Sequence, residues 1–375
     1  MNKLLPTPFF QTAELVVRQQ VSSIEASDDK GAISTWLREF IDSKNTLTAY
    51  TQAAERFYCW LRYHNKVLHE VSRDSIQHYQ HFLANPQPFN LWCGPAVAKR
   101  RDNQANPDWR PFVKGLSAKS INHNLQILKA MFDYLVDSGY LQRNPFRLIR
   151  RKTANEVKEQ PIERFLTSAE FSEVVLAFID NMPKSTEFEI REYHRCRWIF
   201  ILLYLTGCRR SEITNARMSD FIFKRNQWWL RVVGKGNKYG EIPVTKELLA
   251  ELITYRQSVG LDSYPSSIET NRTLIFNLRN NNNIIDDSIL YKIIKKTCNQ
   301  IADNLRQTDP AQAYKFEKVS THWLRHSSAT AQVDAGIDIR IVKKNLRHSQ
   351  LETTMQYQHT EADSQYSETT DKFKI

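Results

Sequence analysis

The strongest constraint on the fold is the spacing of the apolar residues. It is helical along most of the chain and changes once to an alternating pattern. The stretch "TLTAYTQAAERFYCWLRYHNK" sets Leu47, Tyr50, Ala54, Phe57, Trp60 and Leu61 on one helical stripe. In "SRDSIQHYQHFLANP", Ser72 stands where an N-cap is needed and Pro86 stops the pattern. In "LSAKSINHNLQILKAMFDYLVDSGYLQRNP", Ser117 caps a helix with Ile121, Leu125, Leu128, Phe132 and Leu135 as its apolar face, and Gly139 supplies a C-terminal stop. By contrast, "DFIFKRNQWWLRVVGKGNKYGEIPVT" alternates, is rich in Val, Ile, Trp and Phe, and contains a Gly-rich turn. It predicts a small antiparallel sheet. Helical patterns flank it, in "REYHRCRWIFILLYLTG" before and in "DDSILYKIIKKTCNQIADNL" and "STHWLRHSSATAQVDAG" after. Thr167 and Glu170 have capping-box spacing at the start of another helix. The expected class is mainly α with a small antiparallel β-sheet.

A chain of 375 residues accommodates two or three domains. The segment "RLIRRKTANEVKEQPIER" is charged, holds Pro161 and lacks an apolar stripe, so it reads as an interdomain linker. The expected division is an N-terminal extension over 1–30, a helical domain over 31–150, a linker over 151–164, a second domain over 165–360 and a tail over 361–375. The extension ends in "SSIEASDDKGA", which looks flexible. The helical domain is interrupted by a long loop or inserted lobe at 86–116. It carries Lys99, Arg100, Arg101 and Arg110 with three exposed-looking aromatics, Phe89, Trp92 and Trp109. Lys119 follows at the start of the next helix. Basic side chains interleaved with aromatics suit a loop that grips a nucleic-acid backbone, and these five cations are the DNA-binding candidates. The plainer reading is a solvated loop held onto its own domain by the tryptophans.

Charge bears on the partner. The formal net charge is +11, which points to a polyanion, either nucleic acid or an anionic membrane surface. The longest apolar run, "WIFILLYL", is far short of the roughly 20 residues of a membrane span and reads as a buried helix. The N-terminus lacks a continuous apolar signal core. The five cysteines are scattered without zinc spacing, and the odd count argues against a disulfide framework. A reducing cytoplasm follows as the expected compartment.

Four islands in the second domain bear chemistry. "TGCRRSEI" puts Arg209 in the turn after a helix stop at Gly207, where its planar fork of donors can reach a phosphate. "VVGKGNKYGEIPV" puts Lys235 between two glycines at a strand turn, without the spacing of a P-loop. "STHWLRHSSAT" puts His322, Arg325 and His326 at i, i+3 and i+4, where all could share one helix face. It lacks the HExxH pattern of a zinc site. "LRHSQLETTMQYQHT" puts Tyr357 nine positions after His348. Two arginines, a lysine, histidines and a tyrosine, with no paired carboxylates, suit attack on phosphorus without a metal or other cofactor. The arginines would neutralise the non-bridging oxygens, a histidine would assist deprotonation of Tyr357, and Lys235 would protonate the leaving alkoxide.

The ordered set "TGCRRSE", "GKG", "HWLRH" and "LRHS", followed by that tyrosine, resembles the tyrosine recombinase (phage integrase) family over about Phe165 to Thr360. The helical region before it resembles that family's SAM-like core-binding domain. The resemblance implies Arg209, Lys235, His322, Arg325, His348 and Tyr357 as the catalytic set, with Glu212 and His326 in support. It also implies a C-shaped clamp of two domains on double-stranded DNA, a tetramer on two sites, and a 3′-phosphotyrosyl intermediate that conserves phosphodiester energy. Accessory proteins and membrane-free action belong to the same expectation. This chain reads LRHS where the family commonly reads L-G-H-S; an arginine there is strained if the backbone is left-handed, or adds a phosphate contact. No clear arm-binding domain precedes residue 31, and loop 86–116 exceeds a minimal core-binding domain. The extra loop favours a mobile-element integrase. A Xer-like resolvase, a transposase, a topoisomerase-like nicking and closing enzyme, and a cleavage-inactive DNA-binding regulator are the alternatives.

Overall fold

The computed structural model describes residues 23–148, 164–234, 239–278 and 286–347. The chain divides into two compact units, Met1–Asn155 and Glu156–Ile375.

The first unit is built on four helices, α1 (Asp29–Arg38), α2 (Lys44–Tyr63), α3 (Arg73–Ala84) and α4 (Ala118–Asp137). Ser72 and Ser117 cap α3 and α4, each accepting from an amide three residues on. The predicted stripes meet in one core. Ala54, Phe57, Trp60 and Leu61 of α2 pack with Ile76, Tyr79 and Leu83 of α3 and with Leu128, Phe132 and Leu135 of α4. The stretch expected to be flexible is instead where α1 begins: Asp28 accepts from the Gly31 amide at 2.6 Å and starts the helix. Ser23 already donates from its amide to the Ser138 carbonyl at the end of α4.

The insertion between α3 and α4 is a folded lobe rather than an open loop. Trp92 and Trp109 look exposed in the sequence but are buried, which agrees with the plainer reading of a loop held onto its own domain by its tryptophans; Phe89 alone of the three aromatics is exposed. Trp92 packs edge-on against Tyr63 and Phe82, with centroids 5.5 and 4.8 Å away. The lobe closes at its base, where the Phe112 amide donates to Trp92 and the Gly94 amide donates to Phe112. At its tip is a hairpin of β1 (Arg100–Arg101) and β2 (Gln104–Ala105). Asp102 and Asn103 turn it with φ of 52° and 61°, the left-handed pair that two-residue hairpins favour.

The second unit places a three-stranded antiparallel sheet beside a bundle of helices. Its strands are β3 (Phe221–Lys224), β4 (Gln227–Val233) and β5 (Tyr239–Pro243), in that order. The helices are α5 (Glu187–Thr206), α6 (Arg210–Asn215), α7 (Lys246–Ser258), α8 (Asp287–Leu305), α9 (Pro310–Lys318), α10 (Thr321–Asp334) and α11 (Ile339–Leu346). Thr167 and Glu170 form their capping box with bonds of 2.8 and 3.1 Å. The apolar run of α5 is the spine of the unit: Trp198, Ile199, Phe200, Leu202 and Leu203 are buried. The buried Arg256 of α7 staples the following loop, donating to the carbonyls of Asp262 and Tyr264 and pairing with Glu269 at 3.0 Å. Among the described residues no helix is long and apolar enough to cross a membrane. The five cysteines are free and buried.

Candidate active site

The site begins where α5 ends. Gly207 takes a left-handed conformation with φ of 56°, and a Cβ there would lie 2.5 Å from Leu346 and 2.9 Å from the Ser328 hydroxyl. Only glycine lets α5, α10 and α11 approach so closely. The turn delivers Cys208 to the interior and Arg209 to the N-cap of α6, half-exposed.

Glu212, one turn into α6, is 1% exposed and accepts four hydrogen bonds from two arginines. Its carboxylate accepts from the Arg209 amide at 2.7 Å and from the Arg209 guanidinium at 2.8 Å. It also accepts twice from Arg347, at 2.5 and 3.3 Å. Burial pushes the Glu212 carboxyl up. The bonds and charge of Arg347, then those of Arg209, more than reverse this and hold it below the ordinary carboxylate range. Glu212 is therefore an anion at neutral pH, set between two arginines.

Arg325 is 4% exposed on α10. One terminal nitrogen donates to the Gly207 carbonyl at 2.5 Å and the other to the Leu346 carbonyl. It therefore pins the C-terminal ends of α5 and α11 together, where helix dipoles favour a cation. Burial lowers its pKa, and the positive Arg209 and Arg347 lower it further, to about 10. It remains charged at neutral pH in a field that an incoming anion would relieve.

His322 and His326 sit on the same helix with rings 4.2 Å apart, edge to face. Burial, His322, Arg325 and Arg164 hold His326 down to about 4. His322 is exposed at the surface, and desolvation of its ring, Arg325, Arg164 and Arg209 hold it below the usual histidine range. Both rings are neutral at pH 7, which suits His322 to accept a proton or donate a hydrogen bond. Arg325, between them on the helix, is engaged by the Gly207 and Leu346 carbonyls, and its charge acts on both rings.

Lys235 lies in the connection between β4 and β5, and Lys235, His348 and Tyr357 fall outside the described residues. Among the described residues no group of three or more His, Cys, Asp or Glu side chains comes together as a metal site. In the other unit, two DNA-binding candidates have work within the lobe. Lys99 pairs with the buried Glu55 at 2.5 Å. Arg110 donates to the carbonyls of Asn90, Pro107 and Trp109. Arg100, Arg101 and Lys119 face solvent. The residue that sequence reasoning left undecided is Arg347, whose unusual place in LRHS was the only signal of its role.

One buried carboxylate between two arginines, with a third arginine tying helix ends beside it, gathers positive charge where α5 ends, α6 begins and α11 stops. The chain belongs to the phage integrase family, which it matches over residues 171–363. Members of this family are DNA strand-transferring enzymes, and the chain is a tyrosine recombinase by that membership. Tyrosine recombinase XerA of Pyrococcus furiosus is 31% identical over 247 residues, covering 65% of this chain and 71% of that protein. Tyrosine recombinase XerC of Thermodesulfovibrio yellowstonii is 27% identical over 253 residues, covering 66% and 74%. Among solved structures, the Tn1549 transposon integrase in complex with transposon right end DNA shares the fold with a TM-score of 0.59 at 18% identity, over 91% of this chain and 98% of that one. XerH recombinase bound to a palindromic difH substrate, in a post-cleavage complex, gives 0.58 at 19% identity, over 92% and 85%.

Proposed function

We propose that this chain cuts and rejoins double-stranded DNA at a specific site through Tyr357. The tyrosine oxygen attacks a backbone phosphorus, the bond to the 5′ oxygen breaks, and a 3′-phosphotyrosyl bond forms. The proton of Tyr357 passes to a histidine or water, and Lys235 donates a proton to the departing 5′ oxygen. The 5′ hydroxyl of a second strand then attacks the phosphotyrosine, restores a phosphodiester and releases Tyr357. One bond is exchanged for another of similar energy, so no nucleotide cofactor is consumed. Arg209 and the remaining donors of Arg325 would neutralise the non-bridging oxygens, each such donor contributing about 10²–10³ in rate. His322 and His348 would hydrogen-bond the same phosphate.

The observation that carries this reading is the set Arg209, Glu212, Arg325 and Arg347, gathered where α5 ends, α6 begins and α11 stops. His348 is the next residue in the chain. The test is adduct formation on negatively supercoiled plasmid carrying the DNA that flanks the gene. Tyr357→Phe should bind that DNA and form no covalent protein–DNA product. An adduct that survives Tyr357→Phe and is lost in Tyr366→Phe would reassign the nucleophile.

The biological setting we infer is integration or excision of a mobile element by a tetramer on paired sites, in the cytoplasm. The inserted lobe of the first unit supports it. Sequencing of recombined junctions in cells distinguishes it from chromosome-dimer resolution. Junctions joining an element to a chromosome are expected, and junctions confined to a chromosome site would favour a resolvase.

A further inference from the structure

Arg347 has a backbone that its side chain makes costly. It ends α11 in the left-handed region, with φ of 56° and ψ of 42°. An arginine is strained there, whereas glycine is not. The side chain supplies the reason for its presence. The side chain is 11% exposed, and its guanidinium grips both oxygens of Glu212. A third nitrogen donates to the Asn345 carbonyl at 2.5 Å. The aliphatic stem lies over Gly240 of β5, where an added Cβ would come within 2.5 Å of the Arg347 Cδ. Arg347 thus touches three segments at once: the start of α6 through Glu212, the β4–β5 ribbon whose turn holds Lys235, and the end of α11 just before His348.

We propose that Arg347 is a positioning residue of the strand-transfer site, a bidentate brace that aims Glu212 at Arg209 and so holds the Arg209 guanidinium ready for the phosphate. The proposal rests on the recombinase reading above. Without Arg347, Glu212 would keep its carboxylate in the interior with Arg209 as its one remaining guanidinium partner. With nothing to fix the plane of that carboxylate, Arg209 would lose its steady partner and its guanidinium would turn freely, out of the position that meets an incoming phosphate. Lysine keeps the charge but has no planar fork, so it cannot hold both oxygens in one geometry. Glycine removes the backbone strain together with the brace. The two substitutions therefore separate a positioning role from a structural one.

The experiment combines two readouts on the full chain. The first is arginine side-chain NMR of the free protein, with the Arg209 signal assigned by Arg209→Lys. Rotation about its Nε–Cζ bond should be slow in the wild type and fast in Arg347→Lys and Arg347→Gly. The second is single-turnover adduct formation on the flanking-DNA plasmid. Both variants should be slower at saturating DNA by about 10²-fold, the cost of a misplaced reacting group, with DNA affinity within about twofold of wild type. Arg347→Gly should stay folded, because it relieves the left-handed strain. Unchanged Arg209 rotation and an unchanged rate per folded molecule would overturn the proposal and leave Arg347 a packing residue. If wild type forms no adduct, the recombinase reading fails, and the NMR comparison still decides whether Arg347 holds Arg209.

Discussion

The hairpin of the first unit and the arginine cluster of the second carry the same kind of charge in opposite surroundings. Arg101 keeps 74% of its side chain exposed, while Arg347 keeps 11% and Arg325 is 4% exposed. An exposed guanidinium retains its water, is screened by salt and adds little to stability. A buried one must be matched, and here the match is a single carboxylate and the carbonyls of two helix ends. The first arrangement suits attraction of a phosphate backbone in many registers. The second, on the proposed function, would be preorganised for one phosphate and would serve rate rather than affinity.

Lys235→Ala should give the largest effect, a loss of about 10²–10⁴ in cleavage rate, the range of general acid catalysis. Replacing the bridging 5′ oxygen by sulfur makes the leaving group depart without a proton. Lys235→Ala should then approach wild type, while Arg209→Ala stays impaired. Equal defects on both substrates would make Lys235 a phosphate contact.

Arg209→Ala comes next, with cleavage reduced by about 10²–10³ and DNA affinity little changed. The hairpin should behave in reverse. Arg100→Ala with Arg101→Ala should leave the saturated rate intact, weaken binding, and reduce the slope of log affinity against log salt by roughly 1.8 if each contacts one phosphate. A rate defect in the hairpin variant at saturating DNA would erase the contrast between the two regions.

The smallest effect concerns pH. His326 is held to about 4 in the folded protein against 6.5 for an ordinary histidine, so the unfolded chain takes up its proton first. Stability should therefore be full above about pH 6.5 and fall as pH is lowered towards 4. Urea midpoints across that window should flatten in His326→Gln, and a slope unchanged by the substitution would assign the dependence to other groups.

What the sequence disclosed divides along physical lines. Local signals were readable: the caps Ser72 and Ser117, the box of Thr167 and Glu170, the stop at Gly207 and the alternation of β3 to β5 all act within a few residues. Burial decided by distant partners was left open between two readings, a nucleic-acid grip and a loop anchored by its tryptophans. Trp92 and Trp109 lie in a polar, proline-rich stretch, yet Tyr63, Phe82 and the closure at Phe112 fold them inward. The short helix α11 went unread although Ile339, Val342 and Leu346 stand at helical spacing, because it is only two turns long. The Glu212–Arg347 pair spans 135 positions, so no spacing rule could reveal it. The ordered motifs pointed to a phosphate-handling set. They could not show that Arg325 ties two helix ends together.

The most direct test of the account is to trap the covalent product and map it. The wild-type protein is incubated with supercoiled plasmid carrying the flanking DNA, with excess EDTA, denatured, digested and analysed by mass spectrometry. The account predicts a nucleotide joined through its 3′ phosphate to the peptide containing Tyr357, a free 5′ hydroxyl on the other DNA end, and a yield indifferent to EDTA because arginines supply the positive charge. A nucleotide attached at another residue, a 5′ phosphate on the released end, or an adduct abolished by EDTA and restored by Mg²⁺ or Zn²⁺ would contradict it.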